Sequence, residues 1–177
     1  MFKRMLITSM FSTAIIIILI FWCRNEEDGN ITKVTITTGG KAIDYHMVIF
    51  EQDTVNDSDK IANTFIELID EQSVIVLVKK DETIEIEFNN NPPKKVTIYD
   101  HYIYESDGRN QYGDADVREI QSDGNEYSFK LGTTSAELFE SDLRGYKYRG
   151  LRLLCEWEDH KCEYVFVVKT QFIWKSH

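Results

Sequence analysis

From Ile31 onward the apolar side chains recur mostly at every second position, the period of a strand with one buried face. "ITKVTITT" (31–38) reads as a first such strand, ended by Gly39-Gly40, and "AIDYHMVIF" (42–50) as a second. "ETIEIEF" (82–88) sets Ile84, Ile86 and Phe88 against Thr83, Glu85 and Glu87. After Pro92-Pro93, which exclude regular pairing, "VTIYDHYIY" (96–104) predicts a long aromatic strand, followed by the polar loop "ESDGRNQYGDAD" (105–116). "VREI" and "EYSFKL" flank the turn signal "SDGN", and "RGYKYRGLRLLCEW" (144–157) with "KCEYVFVVKTQFIW" (161–174) closes the chain as a hairpin.

Two segments break the period. In "NDSDKIANTFIELIDEQ" (56–72), Ile61, Phe65, Leu68 and Ile69 fall at helical spacing, with Asp57 or Ser58 available as N-cap, so an amphipathic helix is expected. "SVIVLVKK" (73–80) is continuously apolar and β-branched, which predicts a strand covered on both faces. Short strands separated by turns, with one helix near the N-terminal side, predict a mostly β chain. The expected architecture is an immunoglobulin-like antiparallel β-sandwich, in which residues 31–72 supply strands plus helix and residues 73–177 the sandwich proper.

The N-terminal pattern has no period at all. Between Lys3-Arg4 and "RNEED", the nineteen residues Met5 to Cys23 carry no charge, enough at a rise of about 1.5 Å per residue to span most of a ~30 Å hydrocarbon core. Residues 1–23 are therefore expected to form a transmembrane anchor, and residues 24–30 a linker. Cations before the run and Glu26, Glu27 and Asp28 after it place the N-terminus in the cytoplasm and the C-terminal domain outside. A cleavage site for a secretory signal would need small residues where "ILIFWCRN" has bulky ones. Lipidation of Cys23 would need a small residue before it, and Trp22 stands there; an unpaired interfacial thiol is the alternative.

A formal charge of −10 opposes nucleic acid as a partner, since phosphate binding needs the opposite sign. Catalytic signatures are missing: there is no Gly-x-Ser-x-Gly, no His-Glu-x-x-His, no phosphate loop and no Cys-x-x-Cys. The histidines His46, His101, His160 and His177 are scattered, and His101 reads as a surface residue on a strand's polar face. Neither the run with Asp53, Asp57 and Asp59 nor that with Asp107, Asp114 and Asp116 has the spacing of a calcium loop, so no metal or other cofactor is expected. The reading is of a protein that is not an enzyme.

Cys155 and Cys162 sit in the two arms of the last hairpin. Setting them opposite one another also sets Leu153 against Tyr164, Leu151 against Phe166 and Glu156 against Lys161. A slip of two brings Glu156 against Glu163, a repulsive pair. The first register holds the cysteine Cα atoms about 4.5–5.5 Å apart, within reach of a disulfide, and an extracytoplasmic location favours oxidation. Such a bridge contributes roughly 2.5 kcal/mol at most; two buried thiols are the alternative.

One cluster of cations interrupts the acidic background. "RGYKYRGLR" places Arg144, Tyr146, Tyr148 and Arg152 on one side of a strand, with Lys147 and Arg149 on the other unless a bulge at Gly145 or Gly150 gathers them. Arg144, Tyr146, Tyr148 and Arg152 are thus a candidate anion-binding patch, against the plainer reading of cations covering apolar surface.

The half of the chain from "PPKKVTIYDHYIYESDG" through "YKYRGLRLLCEWEDHKCEYVFVVKT" resembles uncharacterised membrane-anchored or lipoprotein-type cell-surface proteins of Gram-positive, Bacillus-like bacteria. The resemblance implies a cell-envelope setting and no site. The expected partners are the membrane and an envelope polymer or membrane protein. The expected role is a non-enzymatic binding module of the envelope. An accessory or sensor subunit acting through its transmembrane helix is the alternative, Thr8, Ser9, Ser12 and Thr13 being the small polar residues such a helix interface uses.

Overall fold

The computed structural model describes residues 33–49, 58–135 and 145–171. The anchor and linker expected over residues 1–30, Cys23 and Arg144 lie outside the described residues. Among those described, no helix is long and apolar enough to cross a membrane.

The elements, in chain order, are β1 (Val34–Thr38), β2 (Lys41–Ala42), β3 (Tyr45–Ile49), α1 (Ser58–Glu71), β4 (Leu77–Lys79), β5 (Thr83–Phe88), β6 (Lys95–Ile103), β7 (Asp116–Ile120), β8 (Ser122–Asp123), β9 (Glu126–Lys130), β10 (Tyr146–Glu156) and β11 (Lys161–Gln171). They form two antiparallel sheets, ordered β2-β1-β5-β9-β8 and β3-β11-β10-β6-β7, with β4 added in parallel along the end of β11.

The alternation read from the sequence decides which face is inside. Val34 and Ile36 of β1, Ile84, Ile86 and Phe88 of β5 and Tyr127 and Phe129 of β9 belong to one buried cluster with Val96, Ile98, Leu151, Leu153, Tyr164, Phe166 and Val168 of the other sheet. Each fully buried aliphatic or aromatic side chain contributes about 1.5–3 kcal/mol, so this shared interior is the main source of stability. The intervening residues of β1, β5 and β9, such as Glu85, Glu87 and Ser128, face outward.

The second sheet is covered on its other side too. Phe65 and Leu68 of α1 pack on Ile103, Tyr148, Val165 and Val167. This explains the unbroken "VFVV" of β11, whose side chains are buried on both faces. Gly150 makes the close approach possible: a Cβ there would fall 2.5–2.7 Å from three atoms of the Phe65 ring. β10 nevertheless pairs without interruption to β6 and β11, so there is no bulge at this glycine.

Two expectations change. Only Leu77–Lys79 of "SVIVLVKK" is a strand, and Val74 is exposed. The run is apolar because it passes from the helix cluster, which takes Ile75, to the inter-sheet cluster, which takes Val78 and partly buried Val76. "VREI" and "EYSFKL" are not partners: β7 pairs with β6, whereas β9 pairs with β5 and β8, so the chain changes sheet between Ile120 and Ser122. Residues 34–49 are also woven into the sandwich, with β1 in one sheet and β3 along β11 in the other. Together β3 and β4 cover much of the free edge of β11, which would otherwise present unpaired backbone groups.

Candidate functional site

Beside the first turns of α1, part of the second sheet's outer face is open. A cleft of about 700 Å³ opens there among Ser58, Asp59, Ile61, Ala62 and Phe65 of α1, Tyr99 and His101 of β6, Arg152 of β10, Val117 of β7 and the loop from Gly108 to Ala115.

The loop holds its shape through its own hydrogen bonds. Gly108 N–H donates to Tyr104 O (3.0 Å), Arg109 N–H to Asp107 Oδ1 (3.0 Å) and Gln111 N–H to Tyr102 O (2.7 Å). The Asn110 amide donates to Gly113 O (2.9 Å), and that of Gln111 to Ile103 O (2.7 Å). Gly108, at φ 66°, lies so close to α1 that a Cβ would stand 2.3 Å from Ala62 O. Only glycine satisfies both the positive φ and the contact. Helix and loop meet again where the Arg109 guanidinium reaches the Asp59 carboxylate at 3.4 Å.

Two polar atoms in this lining are buried and lack a hydrogen-bond partner among the described residues: His101 Nε2 and Asn110 Oδ1. The Phe65 ring meets the His101 ring edge-on, with centroids 5.4 Å apart. Burial, and secondarily the nearby charge of Arg152, pushes His101 down to about 4, so its imidazole is neutral near pH 7. Arg152 Nε donates to Glu163 Oε1 at 2.7 Å, and its guanidinium lies over the Tyr99 ring at 5.1 Å. Burial pushes Glu163 above the ordinary carboxylate range while the Arg152 charge opposes the shift.

Of the candidate binding and disulfide residues read from the sequence, Arg152 lines this cleft, whereas Tyr146, Tyr148, Cys155 and Cys162 do not. Cys155 and Cys162 face each other in the register expected, which also pairs Leu153 with Tyr164, Leu151 with Phe166 and Glu156 with Lys161. Both are thiols in the inter-sheet core, and burial raises the pKa of each. Tyr146 is exposed, whereas Tyr148 is buried, its hydroxyl donating to Glu105 and its ring lying 4.9 Å from the Lys169 ammonium. Arg152 is held by Glu163, so Tyr146, Tyr148 and Arg152 do not make one open cationic surface.

Arg149 points the opposite way, between the sheets, as strand alternation requires. Its Nε and Nη2 donate to Asp100 Oδ1 (2.8 Å) and Oδ2 (2.5 Å), and Nη1 donates to Gly132 O (3.1 Å). Arg118 approaches the same carboxylate at 3.7 Å and lies over Phe129 of the facing sheet. These bonds tie the segment after β9 to β10 and β6.

His101 is the site residue the sequence reading misplaced. It does alternate onto the outer face of β6, but α1 covers that face, so the imidazole is largely buried instead of solvated. Asn110 gave no signal beyond its place in a polar loop. A smaller hollow of about 360 Å³ on the outer face of the other sheet is lined by Glu85, Glu87, Asp123 and Glu126. No group of three potential metal ligands occurs among the described residues. Comparison with protein-family models, with curated proteins and with solved structures finds no match for this chain.

Proposed function

We propose that this chain is a non-enzymatic binding module of a bacterial cell envelope, held by its N-terminal apolar segment with the C-terminal domain outside, and that the cleft beside α1 is its recognition site. The observation that carries the reading is the cleft itself, a recess of about 700 Å³ beside α1 whose rim is braced by loop hydrogen bonds. A binding role is preferred to catalysis because burial and the neighbouring Arg152 charge both lower the basicity of the His101 imidazole.

The fold within this reading is immunoglobulin-like. Taking β1, β5 and β9 as strands A, B and E, and β6, β7, β10 and β11 as C, C′, F and G, the two sheets run A-B-E and G-F-C-C′. β3, α1 and β4 are then an insertion between A and B. The cysteines join F to G within one sheet, not B to F across the core, and we propose that they are oxidised outside the cytoplasm. The envelope setting rests on the apolar run from Met5 to Cys23 and on the resemblance of the C-terminal half.

The recognition site is tested on the full chain in a lipid nanodisc, by NMR of residues lining the cleft during a screen of small-molecule fragments. Perturbations clustered at His101, Asn110 and Val117, and lost in Val117→Trp, are expected. Perturbations scattered over the surface, or none at these residues, overturn the assignment.

A further inference from the structure

We propose that Cys155 and Cys162 are a reversible redox couple, whose bridge forms under strain and loosens the sandwich, and not a permanent staple. This rests on the pair being oxidised outside the cytoplasm, and adds what that oxidation does to the fold.

The phase of the hairpin ladder decides the strain. Trp157 N–H donates to His160 O at 2.9 Å, so these directly opposite residues are a hydrogen-bonded pair. Hydrogen-bonded and non-hydrogen-bonded pairs alternate along an antiparallel ladder. The register runs unbroken from this tip, which makes Glu156–Lys161 a non-hydrogen-bonded pair and Cys155–Cys162 a hydrogen-bonded one. Opposite Cα atoms of a hydrogen-bonded pair stand about 5.5 Å apart, and their Cβ atoms lie toward the wide end of a range of about 4.5–5.5 Å. A disulfide holds its Cβ atoms about 3.8 Å apart. Closing the bond therefore draws β10 and β11 together by about 1 Å or more, where their backbone hydrogen bonds already set the spacing. A bond closed against such resistance is more easily reduced.

The surroundings favour the thiols as they stand. Cys155 is 0% exposed and Cys162 6%, both packed between the sheets in the cluster that holds Val96, Leu153, Tyr127 and Tyr164. The Tyr164 hydroxyl donates to the Cys162 sulfur. Val96 of β6 lies directly opposite Cys155, so moving Cys155 toward β11 pulls it away from that neighbour. A close-packed interior does not refill such gaps without loss.

Burial also sets how the couple exchanges. It holds both cysteines as thiols, and the thiolate is the nucleophile, so exchange waits for the hairpin end to open. The oxidant is a disulfide, carried by an oxidised dithiol oxidoreductase or a small molecule. One cysteine thiolate attacks a sulfur of that disulfide and expels a thiolate; the second cysteine attacks the mixed disulfide at the protein sulfur and expels another. The two protons given up by the cysteines end on the two expelled thiolates, and a reducing dithiol runs the same steps backward.

The test equilibrates the full chain, in lipid nanodiscs, with mixtures of reduced and oxidised glutathione, starting from both the reduced and the bridged protein. Acid quenching, alkylation and peptide mass spectrometry read the bridged fraction. The comparison is Glu156→Cys/Lys161→Cys in a Cys155→Ala/Cys162→Ala background, which places a bridge at the adjacent non-hydrogen-bonded pair. The native pair should need a mixture about tenfold or more richer in oxidised glutathione to be half bridged. In the native sequence, the bridged chain should unfold at a lower denaturant concentration than the reduced chain, a measurement that needs no variant. A bridged chain that unfolds at a higher concentration overturns the strained couple, as does a native pair that oxidises as readily as the comparison pair; in either case the cysteines are still oxidised, as a staple. If no mixture links Cys155 to Cys162, the oxidation and the redox couple both fail.

Discussion

Gly150→Ala tests the contact on which both the helix position and the cleft depend. The added Cβ would lie 2.5, 2.6 and 2.7 Å from Cζ, Cε1 and Cε2 of Phe65, where carbon atoms prefer about 3.5–4.0 Å. The ring must retreat by about 1 Å, and it is fully buried against Ile103, Tyr148, Val165 and Val167, so the retreat carries α1 with it. Overpacking of this kind costs about 1–3 kcal/mol, and a clash with three adjacent atoms of one buried ring belongs near the upper end. Replacing glycine by alanine in a strand returns about 0.5–1 kcal/mol of backbone entropy. The expected net loss is about 2 kcal/mol, or a fall in Tm of roughly 4–8 °C for a chain of this size.

Denaturant and thermal unfolding followed by tryptophan fluorescence and circular dichroism measure the loss, and a double-mutant cycle identifies its origin. In a Phe65→Ala background the clash is gone, so Gly150→Ala should there become stabilising by about 0.5–1 kcal/mol. A displaced ring also admits water to the neighbouring imidazole, so His101 in Gly150→Ala should titrate higher than about 4, toward its ordinary value. Equal effects of Gly150→Ala in the two backgrounds would refute the packing argument.

Three further outcomes are expected. Because the folded state lowers His101 from 6.5 to about 4, the unfolded chain takes up a proton in that interval which the folded chain refuses; His101 therefore supports the fold fully above about pH 6.5 and loses up to about 3 kcal/mol of stability as pH falls to about 4. His101→Phe should flatten this part of the unfolding profile, and an unchanged slope would count against the burial of the imidazole. Asp100→Asn leaves Arg149 buried without its carboxylate and should cost about 3–5 kcal/mol, most of it recovered in the Asp100→Leu/Arg149→Met double variant; a mild single effect would mean that water reaches the pair. In protein taken from an oxidising envelope, Cys155 and Cys162 should appear as one linked species in an unreduced alkylated digest, and two carbamidomethylated cysteines would rule the bridge out.

The final hairpin was legible in the sequence down to its register. The Cys155–Cys162 and Glu156–Lys161 pairs are local across a short turn, and a slip of two sets like charges together. The period of α1 was equally plain, because Ile61, Phe65, Leu68 and Ile69 mark its buried stripe whatever it packs against. Alternation in β5 and β10 likewise fixed which side chains go inward, and so separated Arg149 from Arg152. A period of two states the face of a strand, however, and says nothing of its neighbour. That β9 pairs with β5 and not with β7, or that β3 lies along β11, depends on long-range pairing that no local pattern encodes. The cleft belongs wholly to that second kind of information. Its lining comes from α1, β6, the loop after β6, β7 and β10, stretches far apart in the chain. His101 is neutral there because a helix from another part of the sequence covers it and Arg152 from a third stands beside it. The burial and charge that set the behaviour of an imidazole are properties of its three-dimensional surroundings, and those exist only once the chain has folded.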